Sequence, residues 1–184
     1  FAIKAMEAGK HVLVEKPLAN TEEQCLAMIG AAEKHNVKLM VGLPLRYWPE
    51  YRALKEAVDS GEYGDVICVN GYVHTRLEPR PGSWFARKDQ LGGGVLFSHG
   101  CHDVDYLIWL FGQPRRASFL GTRVGTGWME GEGTAQCIFS FDEDVLASLS
   151  VSWGTPFRAG VGRIQVHTTR ALLRIAGKRL LVLD

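Results

Sequence analysis

The side chains best suited to chemistry lie in one stretch of the chain, from Gly92 to Asp105. Three consecutive glycines open this stretch and permit a sharp backbone turn. The apolar residues that follow recur at helical spacing and predict a helix over residues 95–112, ending at a glycine. His102 projects from the rim of this helix, with Ser98 one turn before it. A histidine held in this way could transfer a proton near neutral pH, and the alternative is a hydrogen-bonded structural histidine.

The predicted helix presents two neighbouring stripes of side chains. One stripe is apolar and predicted to be buried: Cys101, Val104, Ile108 and Phe111. The other combines polar and aromatic residues: Ser98, His102, Asp105 and Trp109. The cluster of His99, Cys101, His102 and Asp103 invites a metal-binding interpretation. However, Cys101 belongs to the apolar stripe and is expected to point away from both histidines, so the sequence predicts no metal site.

The composition narrows the classes of function. The 184 residues are 46% hydrophobic and 22% charged, with a formal net charge of +1, so the basic excess of nucleic-acid or anionic-membrane binding is missing. No segment is long and uncharged enough to span a bilayer. The four cysteines lack CxxC spacing, which indicates a reducing compartment and a cytoplasmic protein. The chain opens without Met, as if inside a helix that Gly9 ends, so we expect a fragment of a longer protein.

The first part of the chain has the spacing of a strand, a helix and a second strand. An apolar run at residues 11–14 predicts a buried strand, residues 21–24 form a capping-box pattern that begins a helix, and residues 37–42 predict the next strand. This order predicts a parallel sheet. Open parallel sheets bind ligands beyond the carboxyl ends of their strands, which is where residues 15–17 and 43–47 lie.

From Gly64 onward the sequence pattern changes. A strand at residues 66–73, a loop at residues 76–90 and the helix described above precede several strands joined by short turns. These strands are predicted at residues 117–124, 134–141, 145–152, 164–167 and 172–175, with another at the C-terminal end. Short turns favour a largely antiparallel sheet. We therefore divide the chain into two domains, residues 1–62 and residues 63–184.

Two motifs resemble the signatures of the Gfo/Idh/MocA oxidoreductases. The first is residues 8–18, AGKHVLVEKPL, and the second is the triple glycine followed by Gly100-x-His102-x-x-Asp105. Smaller matches follow in the same order: residues 41–42, Arg46 and residues 61–66. The resemblance covers nearly the whole chain, and it is specific because both motifs occur in the right order at the right separation.

The resemblance implies an α/β fold, with the C-terminal part of a Rossmann-type parallel sheet followed by an α+β domain with an open, mostly antiparallel sheet. It also implies binding of NAD or NADP and homo-oligomerisation through that second sheet. The implied reaction is hydride transfer between the nicotinamide and a hydroxyl-bearing carbon of a sugar, inositol or related polyol. Lys16 would stabilise the substrate alkoxide, and His102 would handle the hydroxyl proton. The implied cofactor contacts are Glu15, Lys16, Pro17 and Arg46.

Substrate contacts are expected at six residues: Lys16, Trp84, Arg87, Ser98, His99 and His102. Trp84 and Arg87 lie in the loop before the triple glycine, and an indole face and a planar guanidinium suit a polyol or an acid group. The alternative for this loop is an exposed segment with one anchoring tryptophan. Trp153 is expected in the core, with the wall of the pocket as its alternative.

Two departures from the family pattern bear on function. The sequence holds no glycine-rich phosphate loop, so this chain alone is expected to bind a dinucleotide weakly or not at all and to be inactive. The family usually has aspartate where Ser98 stands, and a hydroxyl cannot raise the basicity of His102 as a carboxylate would. Two alternatives stay open: a relative that retains NAD and cleaves glycosides without net redox change, and a non-catalytic assembly or binding protein.

Overall fold

The computed structural model describes residues 1–156 and 163–184 of the chain. The fold is mixed α/β, as expected, with a two-stranded parallel sheet and a seven-stranded, mostly antiparallel sheet. The helices are α1 (Ala2–Glu7), α2 (Glu22–Lys34), α3 (Pro49–Asp59), α4 (Lys88–Leu91) and α5 (Cys101–Phe111). The strands are β1 (Val12–Glu15), β2 (Leu39–Gly42), β3 (Val66–His74), β4 (Arg116–Thr122), β5 (Thr134–Ser140), β6 (Leu146–Ser152), β7 (Ile164–Thr168), β8 (Leu172–Ala176) and β9 (Arg179–Leu183). Neither described range contains a helix that is long and apolar enough to cross a membrane.

The small sheet confirms the predicted strand, helix and strand. β1 and β2 pair in parallel, and α2 connects them. The first turn of α2 is capped as the sequence predicts, because the Thr21 side chain accepts a hydrogen bond from the Gln24 amide at 3.3 Å. α1 and α2 pack on the sheet through a small core around Met6 and Met28. The turn at Glu15, Lys16 and Pro17 therefore follows directly from the carboxyl end of a paired strand.

The large sheet runs in the order β4-β5-β6-β3-β7-β8-β9. Its neighbours pair antiparallel, as predicted, except for the central strands β3 and β6, which are parallel. Parallel pairing brings the carboxyl ends of these two strands to the same edge. The pairing continues beyond the strands, because the amides of Thr75 and Leu77 donate to the carbonyls of Ser152 at 2.9 Å and Trp153 at 3.0 Å. This edge forms one wall of the site described below.

The main hydrophobic core lies between the large sheet and the helices α3 and α5. Tyr51 and Leu54 of α3 share this core with Val69 of β3 and Tyr106 of α5. The Tyr106 hydroxyl also donates a hydrogen bond to the Tyr51 carbonyl at 2.8 Å. α3 therefore packs with the large sheet although it precedes the proposed domain division between residues 62 and 63, and that division stays a prediction.

The helix predicted over residues 95–112 is present, but its buried face differs from the prediction. It begins with a π-helical turn, Leu96–Gly100, and continues as α5. The residues of the predicted apolar stripe are only half-buried: Cys101, Val104, Ile108 and Phe111. The buried residues of α5 are instead Asp103, Tyr106, Leu107 and Leu110. The buried residues also follow helical spacing, at steps of three and four positions, but the charged Asp103 among them disguises this stripe in the sequence.

The charge at the centre of the buried face is that of Asp103, which is 0% exposed. Its two carboxylate oxygens accept hydrogen bonds from the guanidinium of Arg163, both at 2.8 Å. Removing one member of a buried ion pair leaves the other charge without compensation, which is far more costly than losing a surface pair. The pair therefore anchors α5 to the residue that precedes β7.

We expect Asp103→Ala to lower the free energy of unfolding by about 3–5 kcal/mol, because it leaves the half-buried Arg163 guanidinium without its carboxylate partner. The matched control is Asp142→Ala, since Asp142 pairs with Arg115 at the surface and its side chain is 67% exposed. That control should cost about 0–1 kcal/mol. Urea unfolding followed by circular dichroism measures both values, and equal losses would contradict the anchoring role of Asp103.

Candidate active site

The residues with chemical potential surround a cavity of about 350 Å³ beyond the carboxyl ends of β1, β3 and β6. Nine residues line it: Lys16, Thr75, Arg76, Leu77, Phe85, Ser98, His99, His102 and Trp153. The volume falls within the range of small-molecule sites and suits a sugar-sized ring. A larger groove of about 660 Å³ lies elsewhere, beside Asp59, Asp65 and Asp142, and contains no residue of the two signature motifs. We therefore take the smaller cavity as the candidate active site.

Among the residues that line the cavity, Lys16 carries the positive charge nearest the two histidines. It follows directly after β1, and its ammonium donates a hydrogen bond to the Ser98 carbonyl oxygen at 2.7 Å. Ser98 lies in the π-helical turn that leads into α5. This contact joins the end of the small sheet to the helix of the large core. It therefore fixes the position of the lysine relative to His99 and His102, the two histidines that follow Ser98.

His102 faces the cavity as a neutral ring. Its Nδ1 is buried and has no hydrogen-bond partner among the described residues, which leaves Nε2 as the nitrogen on the cavity side. Burial lowers the pKa of His102, and the positive charge of Lys16 lowers it further. Ser98, one turn earlier, is 5% exposed, and its hydroxyl forms no hydrogen bond with Nδ1 of the ring. The ring can therefore accept a proton, but no neighbouring carboxylate steadies its Nδ1–H.

His99 is held in a different way. Its Nδ1 accepts a hydrogen bond from the indole N–H of Trp153 at 2.9 Å. Burial lowers the pKa of His99 to about 4, with the charge of Arg163 as the next contribution. The rings of His99 and His102 are nearly perpendicular, with centroids 6.4 Å apart. Both histidines are therefore neutral near pH 7, and Lys16 dominates the charge at this end of the cavity.

The other residues expected at the site lie outside the cavity lining. Trp84 is 52% exposed and stacks on Phe85, whose ring lines the cavity. The Arg87 side chain pairs with Asp89 at the surface. Two of the expected cofactor contacts also differ in placement: Glu15 is exposed at the strand end, and Pro17 lines a separate apolar pocket. Their roles toward a ligand stay predictions.

Arg46 has a structural partner. Its guanidinium donates two hydrogen bonds to the Asp105 carboxylate, at 2.8 and 2.5 Å, and lies 5.8 Å from the centroid of the Trp109 ring. Asp105 is therefore committed to Arg46 and does not contact His102 through a described hydrogen bond. The pair ties the turn after β2 to α5. A cofactor contact by Arg46 stays a prediction.

Part of the cavity wall is formed by residues that the sequence did not predict to lie at the site. Thr75, Arg76 and Leu77 follow β3, and Phe85 lies in the short helical turn Trp84–Ala86 within the predicted loop. These residues reach the cavity because β3 pairs in parallel with β6, and strand pairing of this kind leaves no local signal. Trp153 is 4% exposed and also lines the cavity, so it is buried and part of the wall at once.

The lining fits only part of a dinucleotide cofactor. The ammonium of Lys16, two neutral histidines and an aromatic wall suit a nicotinamide beside a hydroxylated ring, and the site lies at the strand ends where such cofactors bind. Residues 1–184 contain no glycine-rich loop for the pyrophosphate. Within the described part of the chain, no group of three or more His, Cys, Asp or Glu side chains is placed to hold a metal ion.

Comparison with family descriptions covers most of the chain. Residues 1–43 match the oxidoreductase family with an NAD-binding Rossmann fold, and residues 51–174 match the GFO/IDH/MocA C-terminal domain. The two matches follow each other in the order that the sequence motifs predict.

Individual relatives give the same result. A 1-carboxy-3-chloro-3,4-dihydroxycyclohexa-1,5-diene dehydrogenase from Comamonas testosteroni is 36% identical over 80% of this chain and 37% of its own length. A 1,5-anhydro-D-fructose reductase from Ensifer adhaerens is 31% identical over 93% of this chain and 51% of its own length. The crystal structure of the WlbA dehydrogenase from Chromobacterium violaceum, in complex with NADH and UDP-GlcNAcA, superposes with a TM-score of 0.86 at 25% identity, over 100% of this chain and 54% of that one. The chain thus spans about half or less of the length of these relatives.

Neutral His99 makes stability depend on pH. Its pKa is about 4 in the folded chain against an ordinary value of 6.5, so between these values the unfolded chain binds more protons. Stability is therefore full above about pH 6.5 and falls as the pH is lowered toward 4. Between about pH 7.5 and pH 5, we expect the free energy of unfolding to fall by about 2 kcal/mol more in the wild type than in His99→Gln. Urea unfolding at the two pH values measures this difference, and identical losses would show that His99 titrates normally.

Proposed function

Because the chain belongs to the Gfo/Idh/MocA family of oxidoreductases, we propose that it is the substrate-facing part of an NAD(P)-dependent dehydrogenase. The reaction is hydride transfer between the nicotinamide and a hydroxyl-bearing carbon of a sugar, inositol or related polyol. The observation that carries this proposal is that Lys16 and His102, from the two signature motifs, line one sugar-sized cavity. The names of the relatives, a dehydrogenase of a dihydroxylated ring and a reductase of an anhydro-sugar, support the substrate class.

Lys16 supplies the electrostatic part of the chemistry. The turn at Glu15, Lys16 and Pro17 would hold NAD(P), and the bound cofactor would supply the ring that exchanges the hydride. Loss of hydride from an alcohol carbon requires that the hydroxyl proton leave, and negative charge develops on the oxygen. The Lys16 ammonium is fixed by the Ser98 carbonyl before substrate arrives. A preorganised charge of this kind stabilises the oxyanion without reorganisation during the reaction.

His102 handles the proton. Its Nε2 lies on the cavity side, and its lowered pKa keeps the ring neutral and ready to accept the hydroxyl proton. Once Nε2 is protonated, both ring nitrogens are donors, and the buried Nδ1–H needs an acceptor. The only group at the place usually held by aspartate is the Ser98 hydroxyl. His102 is therefore a weaker base here than a histidine backed by a carboxylate.

Exposed apolar side chains and free thiols support proposals on the assembly and the location of the protein. We propose a homo-oligomer formed through the large sheet, supported by exposed apolar side chains such as Ile138, 61% exposed, and Leu146, 51% exposed. The ligand is a small sugar or polyol, with no role for nucleic acid or a membrane. All four cysteines are free thiols, which supports a cytoplasmic location.

A second candidate function is favoured by the unpartnered Nδ1 of His102. A weakened base suits a relative that keeps its NAD bound and cleaves a glycoside, since the hydride is then returned in each turnover. Release of free sugar from a glycoside without net NADH formation would identify this reaction. We rank it below the dehydrogenase because both signature residues of hydride transfer are present.

The proposed dehydrogenase is tested in the native protein by NADH formation with a panel of sugars and inositols. We expect Lys16→Met and His102→Asn each to lower kcat by about 10²–10⁴-fold, because each removes a group that contacts the reacting oxygen. Lys10→Met is the matched control, since Lys10 is exposed and is not among the residues that line the cavity. Full activity in both site variants would contradict the catalytic roles assigned to Lys16 and His102.

The role of Ser98 is tested by Ser98→Asp. A carboxylate at this position accepts the Nδ1–H of His102 and raises the pKa of the ring, so the acidic limb of the kcat/KM profile should move to higher pH. Ser98→Ala is the control and should leave that limb in place, because it adds no acceptor. If the acidic limb of the kcat/KM profile is unchanged in a folded Ser98→Asp variant, the absence of a carboxylate at position 98 does not limit the basicity of His102.

A further inference from the structure

The hydrogen bond between Trp153 and His99 decides which nitrogen of His99 carries the proton. An indole N–H can only donate, so the Nδ1 that receives it at 2.9 Å must present a lone pair. With a pKa of about 4, the ring is neutral near pH 7 and carries one proton. That proton must be on Nε2. His99 is therefore a donor at its free end, because its only lone-pair nitrogen is already engaged.

Trp153 is rigid enough to enforce this tautomer. It is 4% exposed, and it lies directly after β6. Its amide donates to the Gly133 carbonyl at 2.8 Å, and its carbonyl accepts from the Leu77 amide at 3.0 Å. Its ring packs edge-on against Phe85, with centroids 5.6 Å apart. The indole N–H is thus fixed by the strand edge, and His99 is oriented by it.

Among the described residues, the cavity lining offers hydrogen-bond donors and cations to a ligand but no carboxylate. None of its nine lining residues is Asp or Glu, whereas Lys16 and Arg76 are cationic. Arg76 pairs with Glu78, but both side chains are more than half exposed, so the pair is weak and can open. Of the acidic groups close enough to affect the histidines, Asp103 is bound to Arg163 and Glu15 is exposed at the strand end.

We propose that His99 is a specificity-determining donor that, with Arg76, recognises a carboxylate on the substrate. The proposal rests on the proposed function only in taking this cavity as the substrate site. A carboxylate is acceptor-only when ionised and pairs well with a fixed N–H and a guanidinium. Arg76 and the Trp153–His99 pair lie on the same wall, where the segments after β3 and β6 pair at Arg76 and Gly154. Lys16 and His102 are then left to contact the hydroxyl group of the carbon that exchanges the hydride.

The tautomer is tested by nitrogen NMR of the protein labelled with ¹⁵N-histidine, with the His99 signals assigned by their loss in His99→Gln. We expect Nδ1 of His99 to be unprotonated and Nε2 to carry the proton near neutral pH. Trp153→Phe removes the N–H but keeps an aromatic ring, and it should abolish the preference. Trp128→Phe is the matched control, because Trp128 stacks on Trp153 without bonding to His99. A proton on Nδ1 in the wild type would overturn the proposal, whether or not Trp153→Phe folds.

Recognition is tested by titrating D-glucuronate and D-glucose and following the ¹⁵N signals of His102, which lines the same cavity and is retained in every His99 variant. These two sugars differ only in having a carboxylate or a hydroxymethyl group. We expect glucuronate to bind at least about tenfold more tightly, the size of one charge-assisted hydrogen bond. His99→Leu should remove this preference, and His99→Gln should retain part of it, because its amide nitrogen can replace Nε2–H. Equal binding of the two sugars, or a preference that survives in His99→Leu, would overturn the proposal.

These readouts separate the proposal from the proposed dehydrogenase, because neither depends on hydride transfer. Carboxylate recognition without NADH formation would count against the dehydrogenase alone. NADH formation with equal kcat/KM for uronate and neutral sugar would count against the role of His99 alone.

Discussion

The hydrogen bond from the Lys16 ammonium to the Ser98 carbonyl is the contact on which the geometry of the site depends. It joins residues 82 positions apart at 2.7 Å, linking the end of β1 to the π-helical turn before α5. His99 and His102 lie on the same helical segment, so the bond fixes the cation relative to both rings. The Arg46–Asp105 pair makes a second tie between the same two regions. Without such ties, a small two-stranded sheet would hold its lysine only loosely against the larger core.

Much of the fold could be predicted because its signals are local. Thr21 caps α2, Gly9 ends α1 in a left-handed conformation, and apolar runs mark the strands β1 and β2. The parallel pairing of β3 with β6 could not be predicted, since strand partners chosen across a long crossover leave no trace in either strand. The prediction of which face of α5 is buried was wrong for a different reason. The prediction followed apolar spacing, and the charged Asp103 disguised the stripe that is buried, which also contains Tyr106, Leu107 and Leu110.

In the site, too, residues within a sequence motif could be predicted, whereas contacts between residues distant in sequence could not. Lys16 and His102 could be chosen from the sequence because the two signature motifs contain them. The partner of His99 could not, because Trp153 lies 54 residues away and nothing near either residue marks the pair. Arg46 is the converse case. A charged residue at the carboxyl edge of a parallel strand suggests a ligand contact, yet the observed partner is Asp105, which the motif had placed near His102.

The electrostatics of the cavity explain how two histidines can sit beside a lysine. Burial and the Lys16 charge both lower the pKa of His102, and the Asp103 carboxylate, which opposes them, is shared with Arg163. The rings therefore stay neutral, and repulsion between adjacent cations is avoided. A carboxylate at position 98 would stabilise a protonated His102 and place a second positive charge near Lys16. The Ser98 hydroxyl is uncharged, so Lys16 remains the dominant charge at that end of the cavity. Its attraction for an anion that forms or binds there is therefore not reduced by a carboxylate at position 98.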